Sequence, residues 1–240
     1  IDTRQQQFSP SKEIIQSLSN RHTGIGFDQL LLIEHSKLDQ CDAAYRFFNP
    51  DGTEAEQCGN GQRCISYYLY NKSPKQKSFC ISGLAGIIYS QINNNETVTI
   101  NMGKIKSIES KVVCENACFQ VDFGNPHLVN IVDNVDAINL EQMSRQYCKN
   151  YINGINFEAV EIIDEKTIKL RVYERGTGET LACGSGACAT VAALQYAKKI
   201  SDNVKVMLPG GNLVVEYNQK QKNHYLTGPA VHVFTGEFII

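Results

Sequence analysis

Two cysteines in this chain stand in nearly the same setting. Cys58 opens the run "CGNGQRC" (58–64) and Cys183 opens "CGSGAC" (183–188). Each follows a glutamate a few residues upstream and leads into helix-forming sequence. The glycines let the backbone come close to a ligand and take up conformations that other residues avoid. A helix starting there leaves amide hydrogens unclaimed and carries a partial positive charge. Such an end binds a carboxylate and lowers the pKa of a nearby thiol.

Magnitudes decide how far this goes. A free thiol is only about 3% ionised at pH 7, a cost of roughly 2 kcal/mol. A helix terminus supplies about 0.3–1 kcal/mol, and up to ~2 when partly buried. Two thiols sharing one cleft then titrate as a pair, one charged and one neutral. A thiolate on one face removes a proton from carbon, and a thiol on the other face returns one. The configuration inverts, and exchanging the protonation states runs the reaction backwards.

The other chemistries fit less well. Zinc sites favour ligand pairs with two to four residues between them and often add histidines. Five residues separate Cys58 from Cys64, four separate Cys183 from Cys188, and no histidine pair stands nearby. No CxxC redox motif, P-loop or dinucleotide fingerprint is present. Cys41, Cys80, Cys114, Cys118 and Cys148 read as small buried hydrophobes. Cys64 and Cys188, one turn into their helices, are expected on the core side. Nine scattered cysteines without a secretion signal point to reduced thiols. His127 in "FGNPH" and Glu174–Arg175, just ahead of the Cys183 loop, are further candidates. Asn49, Asn60, Asn125 and Asn156 suit turns, and in a cleft their amides read the ammonium and carboxylate of an amino acid.

The elements that must position these groups follow from pattern. "SPSKEIIQSLSN" (9–20) reads as a helix capped by Ser9, with Pro10 in its first turn. Strands are expected at 27–35, 43–49 and 96–102, and strand–turn–strand over 118–132. Helices are expected from near Gly59 to 72, over 139–149 and over 186–199. "NFEAVEII" and "TIKLRVYE" form a hairpin around Asp164–Lys166. Short strands follow at "VKVML", "NLVVEY", "HYLTG" and "AVHVFTGEFII". This order predicts an α+β fold. The repeated Cys-Gly-x-Gly pattern predicts two equivalent halves with a cleft between them.

The 240 residues are 42% hydrophobic and 20% charged, with a net charge of −2. That balance gives no basic surplus for nucleic acid. No apolar run approaches the ~18 residues of a membrane helix. "IDTRQQQFSP" lacks the apolar core of a signal peptide, so a cytoplasmic protein acting on a small molecule is expected.

"RHTGIGFDQLLLIE" (21–34), "CGNGQRC", "FGNPH" and "YERGTGETLACGSGACA" together resemble the diaminopimelate epimerase family, over essentially the whole chain. The resemblance implies interconversion of LL- and meso-2,6-diaminopimelate without pyridoxal phosphate, metal or other cofactor. The setting would be bacterial lysine and peptidoglycan precursor synthesis. It implies Cys58 and Cys183 as the catalytic thiols, with His127 and Glu174 positioning the substrate's α-amino group and tuning them. Gln29, Asn49, Gly59, Asn60, Asn125, Asn156, Glu174, Arg175, Gly184 and Ser185 would hold the substrate. The implied architecture is two pseudo-symmetric domains, each a curled, barrel-like mixed sheet around a central helix. They would span 1–103, plus a returning strand at 230–240, and 104–229. A homodimer is also implied. The family usually opens with a strand and a His-Gly-x-Gly-Asn-Asp-Phe loop, and this sequence starts just past that point. Two alternatives accompany this reading: a proline- or hydroxyproline-type racemase using the same cysteine pair, and a shortened homologue that only binds substrate.

Overall fold

A computed structural model describes residues 1–55, 58–94 and 97–238. The chain divides into two compact units, residues 1–100 with the closing segment from Pro229, and residues 101–228. Among the described residues, no helix is long and apolar enough to cross a membrane.

The first unit contains α1 (Lys12–Ser19), β1 (Leu30–Glu34), β2 (Ala43–Phe48), β3 (Glu54–Ala55), α2 (Gly59–Lys72), β4 (Ser78–Gly83), β5 (Gly86–Ile92) and the start of β6 (Val98–Gly103). The cap of α1 is Ser11, whose hydroxyl accepts from the Ile14 amide at 3.3 Å, and not Ser9. Pro10 consequently lies outside the helix. The strand order is β1-β2-β4-β5-β6. β2 and β4 run parallel, and α2 is the crossover that such a pair requires. Gly61, Gln62, Ile65, Ser66 and Leu69 form part of its buried face. Cys64 points away from that face and is exposed, so it is not the core residue its sequence position suggested.

The second unit contains β7 (Ser107–Val113), β8 (Asn116–Asp122), β9 (Pro126–Ile131), α3 (Leu140–Cys148), β10 (Asn156–Asp164), β11 (Thr167–Glu174), β12 (Gly178–Thr180), α4 (Gly184–Tyr196), β13 (Asn203–Leu208), β14 (Gly211–Asn218) and β15 (Asn223–Gly228). Its order is β15-β14-β13-β11-β10-β9-β8-β7. The pairs β9/β10 and β11/β13 are parallel, bridged by α3 and α4. Ten residues of α4 are buried, Cys188 among them. Together the two mixed sheets and their helices make an α+β fold.

The sequence β1-β2-β3-α2-β4-β5 recurs as β10-β11-β12-α4-β13-β14, and the registers match. Phe48 faces Leu30 and Glu54, while Tyr173 faces Phe157 and Glu179. Matching the two registers pairs Gln29 with Asn156, Leu31 with Glu158, Asn49 with Glu174 and Gly61 with Gly186. The repeated upstream glutamates have a structural task. Glu54 takes Arg46 and Glu179 takes Arg171 in two-pronged ion pairs, at 2.7 and 2.8 Å for the Nε bonds. Each pins a short β-ribbon directly ahead of its cysteine.

The second glycine of each motif serves packing. A Cβ on Gly61 would sit 2.8 Å from the Phe47 ring and 2.9 Å from Leu31 Cδ2. One on Gly186 would sit 2.8 Å from Glu158 Oε1. Both helices therefore start pressed against their sheets, closer than any side chain allows.

The closing segment corrects the expected strand at "AVHVFTGEFII". Residues 229–238 form none, and Ile239 and Ile240 lie outside the described residues. Val231, Val233 and Phe234 are exposed, so no buried apolar face repays ordering them as a strand. Phe238 does pack edge-on against Phe8.

His224 on β15 supplies a test of the second unit's stability. It is buried beside Tyr217 and Phe123, and neither ring nitrogen has a partner among the described residues. Burial lowers its pKa from 6.5 to about 4. The unfolded chain therefore binds this proton first as pH falls. Stability present above pH 6.5 is lost between about 6.5 and 4, by roughly 3 kcal/mol. His224→Phe should flatten that part of the melting-temperature profile.

Candidate active site

Cys58 is the N-cap of α2, and its sulfur accepts from the Gly61 amide at 3.3 Å. The first helical residues, Gly59 and Asn60, follow it. The Asn60 carbonyl oxygen is held by Arg63 Nη2 at 3.0 Å. Arg63 also donates to the Pro229 carbonyl, tying the closing segment to this helix. Asn49 closes the β2–β3 turn, with its amide group donating to Thr53 Oγ1 at 3.1 Å. Gln29 is half-buried immediately before β1.

The second unit brings more candidates together. Cys183 caps α4 and is 6% exposed. Its thiol donates to Glu174 Oε2 at 3.3 Å, at the end of β11, and lies 3.6 Å from the Ser185 hydroxyl. The other Glu174 oxygen accepts from Thr180 at 2.6 Å. Asn125, in the β8–β9 turn, donates to Ser185 Oγ at 3.3 Å. Its carbonyl oxygen lies 2.9 Å from His127 Nε2, and His127 Nδ1 lies 2.6 Å from Glu158 Oε1. Both histidine nitrogens thus face oxygens. The chain of contacts runs Glu158–His127–Asn125–Ser185–Cys183–Glu174.

Asn156 ties three segments together. Its amide donates to the Pro126 carbonyl, and its oxygen accepts from the Arg175 backbone. The Arg175 guanidinium is exposed and rests over Gly154, donating to the Asn153 carbonyl. Gly184 begins α4 and is buried.

The electrostatics around Cys183 reverse the simple helix-terminus expectation. Burial pushes its thiol well up, and the carboxylates of Glu174 and Glu158 push it further. The Gly186 amide and Ser185 hydroxyl pull the other way. A helix terminus is worth at most about 2 kcal/mol, and here desolvation with two like charges outweighs it. Cys183 is held as the neutral thiol.

Residues 1–108 and 119–233 match the sequence profile of diaminopimelate epimerases. The chain belongs to the diaminopimelate epimerase family. A diaminopimelate epimerase of Buchnera aphidicola subsp. Baizongia pistaciae is 40% identical to it, over 98% of this chain and 89% of that one. As a member of this family the chain is an enzyme, an isomerase of the epimerase class. Solved structures share its fold at lower identity. A phenazine biosynthesis protein of the PhzF family from Bacillus anthracis has a TM-score of 0.76 at 19% identity, covering 100% of this chain and 91% of that one. A hydroxyproline epimerase from Agrobacterium vitis, solved with bound trans-4-hydroxy-L-proline, has a TM-score of 0.66 at 13% identity, covering 90% and 77%.

Within this epimerase fold, three participants escaped the sequence reading. Glu158 looked like one more residue of a buried strand. The signal was a carboxylate inside "NFEAV", where every neighbour is apolar or buried. Thr180 and Gly186 were hidden because their roles depend on a tertiary neighbour. His127, read as a group beside the substrate, is fully buried, with its Nε2 against Asn125 Oδ1. Among the described residues, no group of three or more histidine, cysteine or acidic side chains converges as a metal site.

Proposed function

We propose that this epimerase interconverts LL- and meso-2,6-diaminopimelate by two-base proton transfer, without a cofactor, on the bacterial route to lysine and peptidoglycan precursors. Cys58, as thiolate, removes the α-proton from one face. Cys183, as thiol, delivers a proton to the other. The reverse reaction exchanges their roles.

The observation that carries this reading is an inequality between two otherwise matched cysteines. At equivalent register positions the second unit has Glu174 and Glu158, and the first has Asn49 and Leu31. The carboxylates of Glu174 and Glu158 favour the protonated thiol at Cys183. The charge gathered around Cys183 favours it as the acid of the resting pair, which leaves Cys58 the role of base. A substrate ammonium near Glu174 then offsets the carboxylate's field and readies Cys183 to cycle.

The binding roles divide by chemistry. Asn60, Ser185 and the amides of Gly59 and Gly184 suit the carboxylate of the reacting centre. Gln29, Asn49, Asn125 and Asn156 offer uncharged amide groups, and Arg175 and Glu174 complement the zwitterion of an amino-acid end. His127 positions Asn125. The family reading extends to a cytoplasmic homodimer. Identity of 40% with a diaminopimelate epimerase supports this substrate over proline-type ones, whose enzymes share only the fold.

A substrate panel tests the assignment. Turnover is expected with LL- and meso-diaminopimelate and not with proline or trans-4-hydroxyproline, followed by chiral chromatography. Turnover of the imino acids alone would favour the racemase reading, and saturable diaminopimelate binding without turnover would favour the binder.

A further inference from the structure

We propose that Cys41 and Cys80 form a thiol–disulfide modification site that staples the Cys58-bearing segment, with a small-molecule disulfide such as oxidised glutathione as the oxidant. The two sulfurs lie 2.8 Å apart, well inside the ~3.5–4.0 Å at which even non-bonded carbons rest. Both thiols are free and half-buried, so a small reagent can reach them. Neither belongs to the network around Cys183 or to the Cys58 loop.

The backbone holds this proximity in place. The Asp42 amide donates to the Cys80 carbonyl at 2.7 Å. The Cys80 amide donates back to Asp42 Oδ2 at 2.7 Å, and Gln76 holds the other carboxylate oxygen at 2.7 Å. The Cys41 amide is itself tied to the Leu38 carbonyl. Immediately beyond, Ala43 and Ile81 open the parallel register of β2 and β4. Cys41 therefore sits just ahead of β2 and Cys80 within β4, already converged, with little conformational freedom left to lose on bonding.

The reaction balances with a disulfide as electron acceptor. One cysteine, as thiolate, attacks a glutathione sulfur. A mixed disulfide forms and one glutathione leaves as thiolate. The second cysteine loses its proton, attacks the protein sulfur of that mixed disulfide and expels the second glutathione. Cys41 and Cys80 are oxidised by two electrons, and the small disulfide is reduced to two thiols. Burial, then the contact with Cys41, pushes the Cys80 thiol up to about 11, so its thiolate is scarce near neutrality and the exchange runs faster as pH rises.

The consequence follows from what lies between the two cysteines. Residues 42–79 carry Asn49, Cys58, Gly59, Asn60 and all of α2. Joining the ends of this segment removes conformations from the unfolded chain more than it alters the folded one. Oxidation should thus stabilise the first unit and leave the Cys58 loop free to work.

The test starts from the reduced full-length chain, incubated with oxidised glutathione, blocked with N-ethylmaleimide and mapped by peptide mass spectrometry. A linked Cys41–Cys80 peptide, two hydrogens lighter than its parts, is expected ahead of other linkages. The melting temperature should rise by roughly 5–10 °C and return with dithiothreitol. Cys41→Ser and Cys80→Ser should each abolish both changes. Recovery of Cys41 and Cys80 as separate maleimide or glutathione adducts would overturn the proposal. So would a linked peptide without any gain in melting temperature. The peptide map needs no variant, so a poorly folding serine substitution leaves the test intact.

Discussion

Cys58→Ala and Cys183→Ala each lower kcat/KM for diaminopimelate epimerisation by about 10²–10⁴-fold, the usual worth of one general acid or base. The double variant falls little further, because the two thiols act as a unit and losing one already ends two-face transfer. Folding should survive in the single variants. Cys183 is small and caps α4 from outside its body, and Cys58 is only half-buried. Circular dichroism melts near the parent value separate lost chemistry from lost structure. Cys183→Ser is the sharper probe. Its hydroxyl keeps the donor to Glu174 Oε2, but is far too weak an acid to return as a working base. Recovery of most of the activity in the serine variant would mean that Cys183 holds substrate and transfers no proton.

His127→Leu carries the second large effect, this time on stability. Glu158 is fully buried, and its Oε2 has no partner among the described residues. Its Oε1 relies on His127 at 2.6 Å. Breaking a buried pair by removing one partner costs about 3–5 kcal/mol. For a chain of this size that is a melting-temperature loss of roughly 10 °C. The pH dependence has a definite sign. Burial already raises the Glu158 pKa, and His127 is what pulls it back down. Without His127 the folded value rises further above the unfolded ~4.3. Stability is then greatest below that unfolded value and is lost as pH rises through the folded one. The variant should therefore melt closest to the parent at about pH 4 and fall away as pH rises towards 8. Adding Glu158→Leu, which installs the first unit's Leu31 at the matching position, should recover stability and remove the slope. Equal destabilisation at every pH would show that His127 acts through packing alone.

Much of this molecule can be read from residue order. The hairpins β8–β9 and β10–β11 declare themselves by alternation and by Gly124 and Asp164. The helices α2 and α4 follow from Cys-Gly-x-Gly at their starts. What stayed hidden lacked a local signal. The strand β7, "SIESKVV", is mostly polar and half-exposed, so no apolar alternation marks it. The hairpin β4–β5 was passed over because its signal lies in a tight Gly83–Gly86 connection. The closing segment failed in the opposite sense: its alternation is strand-like, yet its described residues 229–238 form no strand.

The site divides the same way. The proposed pairing of Cys58 with Cys183 starts from a signal in the sequence, the repeat of two glycine-framed motifs. The carboxylates around Cys183 were not legible, since they depend on which strand residues face that sulfur. Asn49 and Glu174 occupy matching places only once the ribbons β2–β3 and β11–β12 are aligned. Glu158 becomes a site residue only when Gly186 lets α4 settle onto β10.

The central claim, that separate groups act on opposite faces of the α-carbon, meets its most direct test in the first turnovers of LL-diaminopimelate in D₂O. A thiol equilibrated with solvent should place deuterium in the meso product, while recovered LL-substrate, deprotonated and reprotonated only on its own face, stays unlabelled at early times. Label entering recovered substrate and product equally from the outset would contradict two-face transfer and point to a single group serving both.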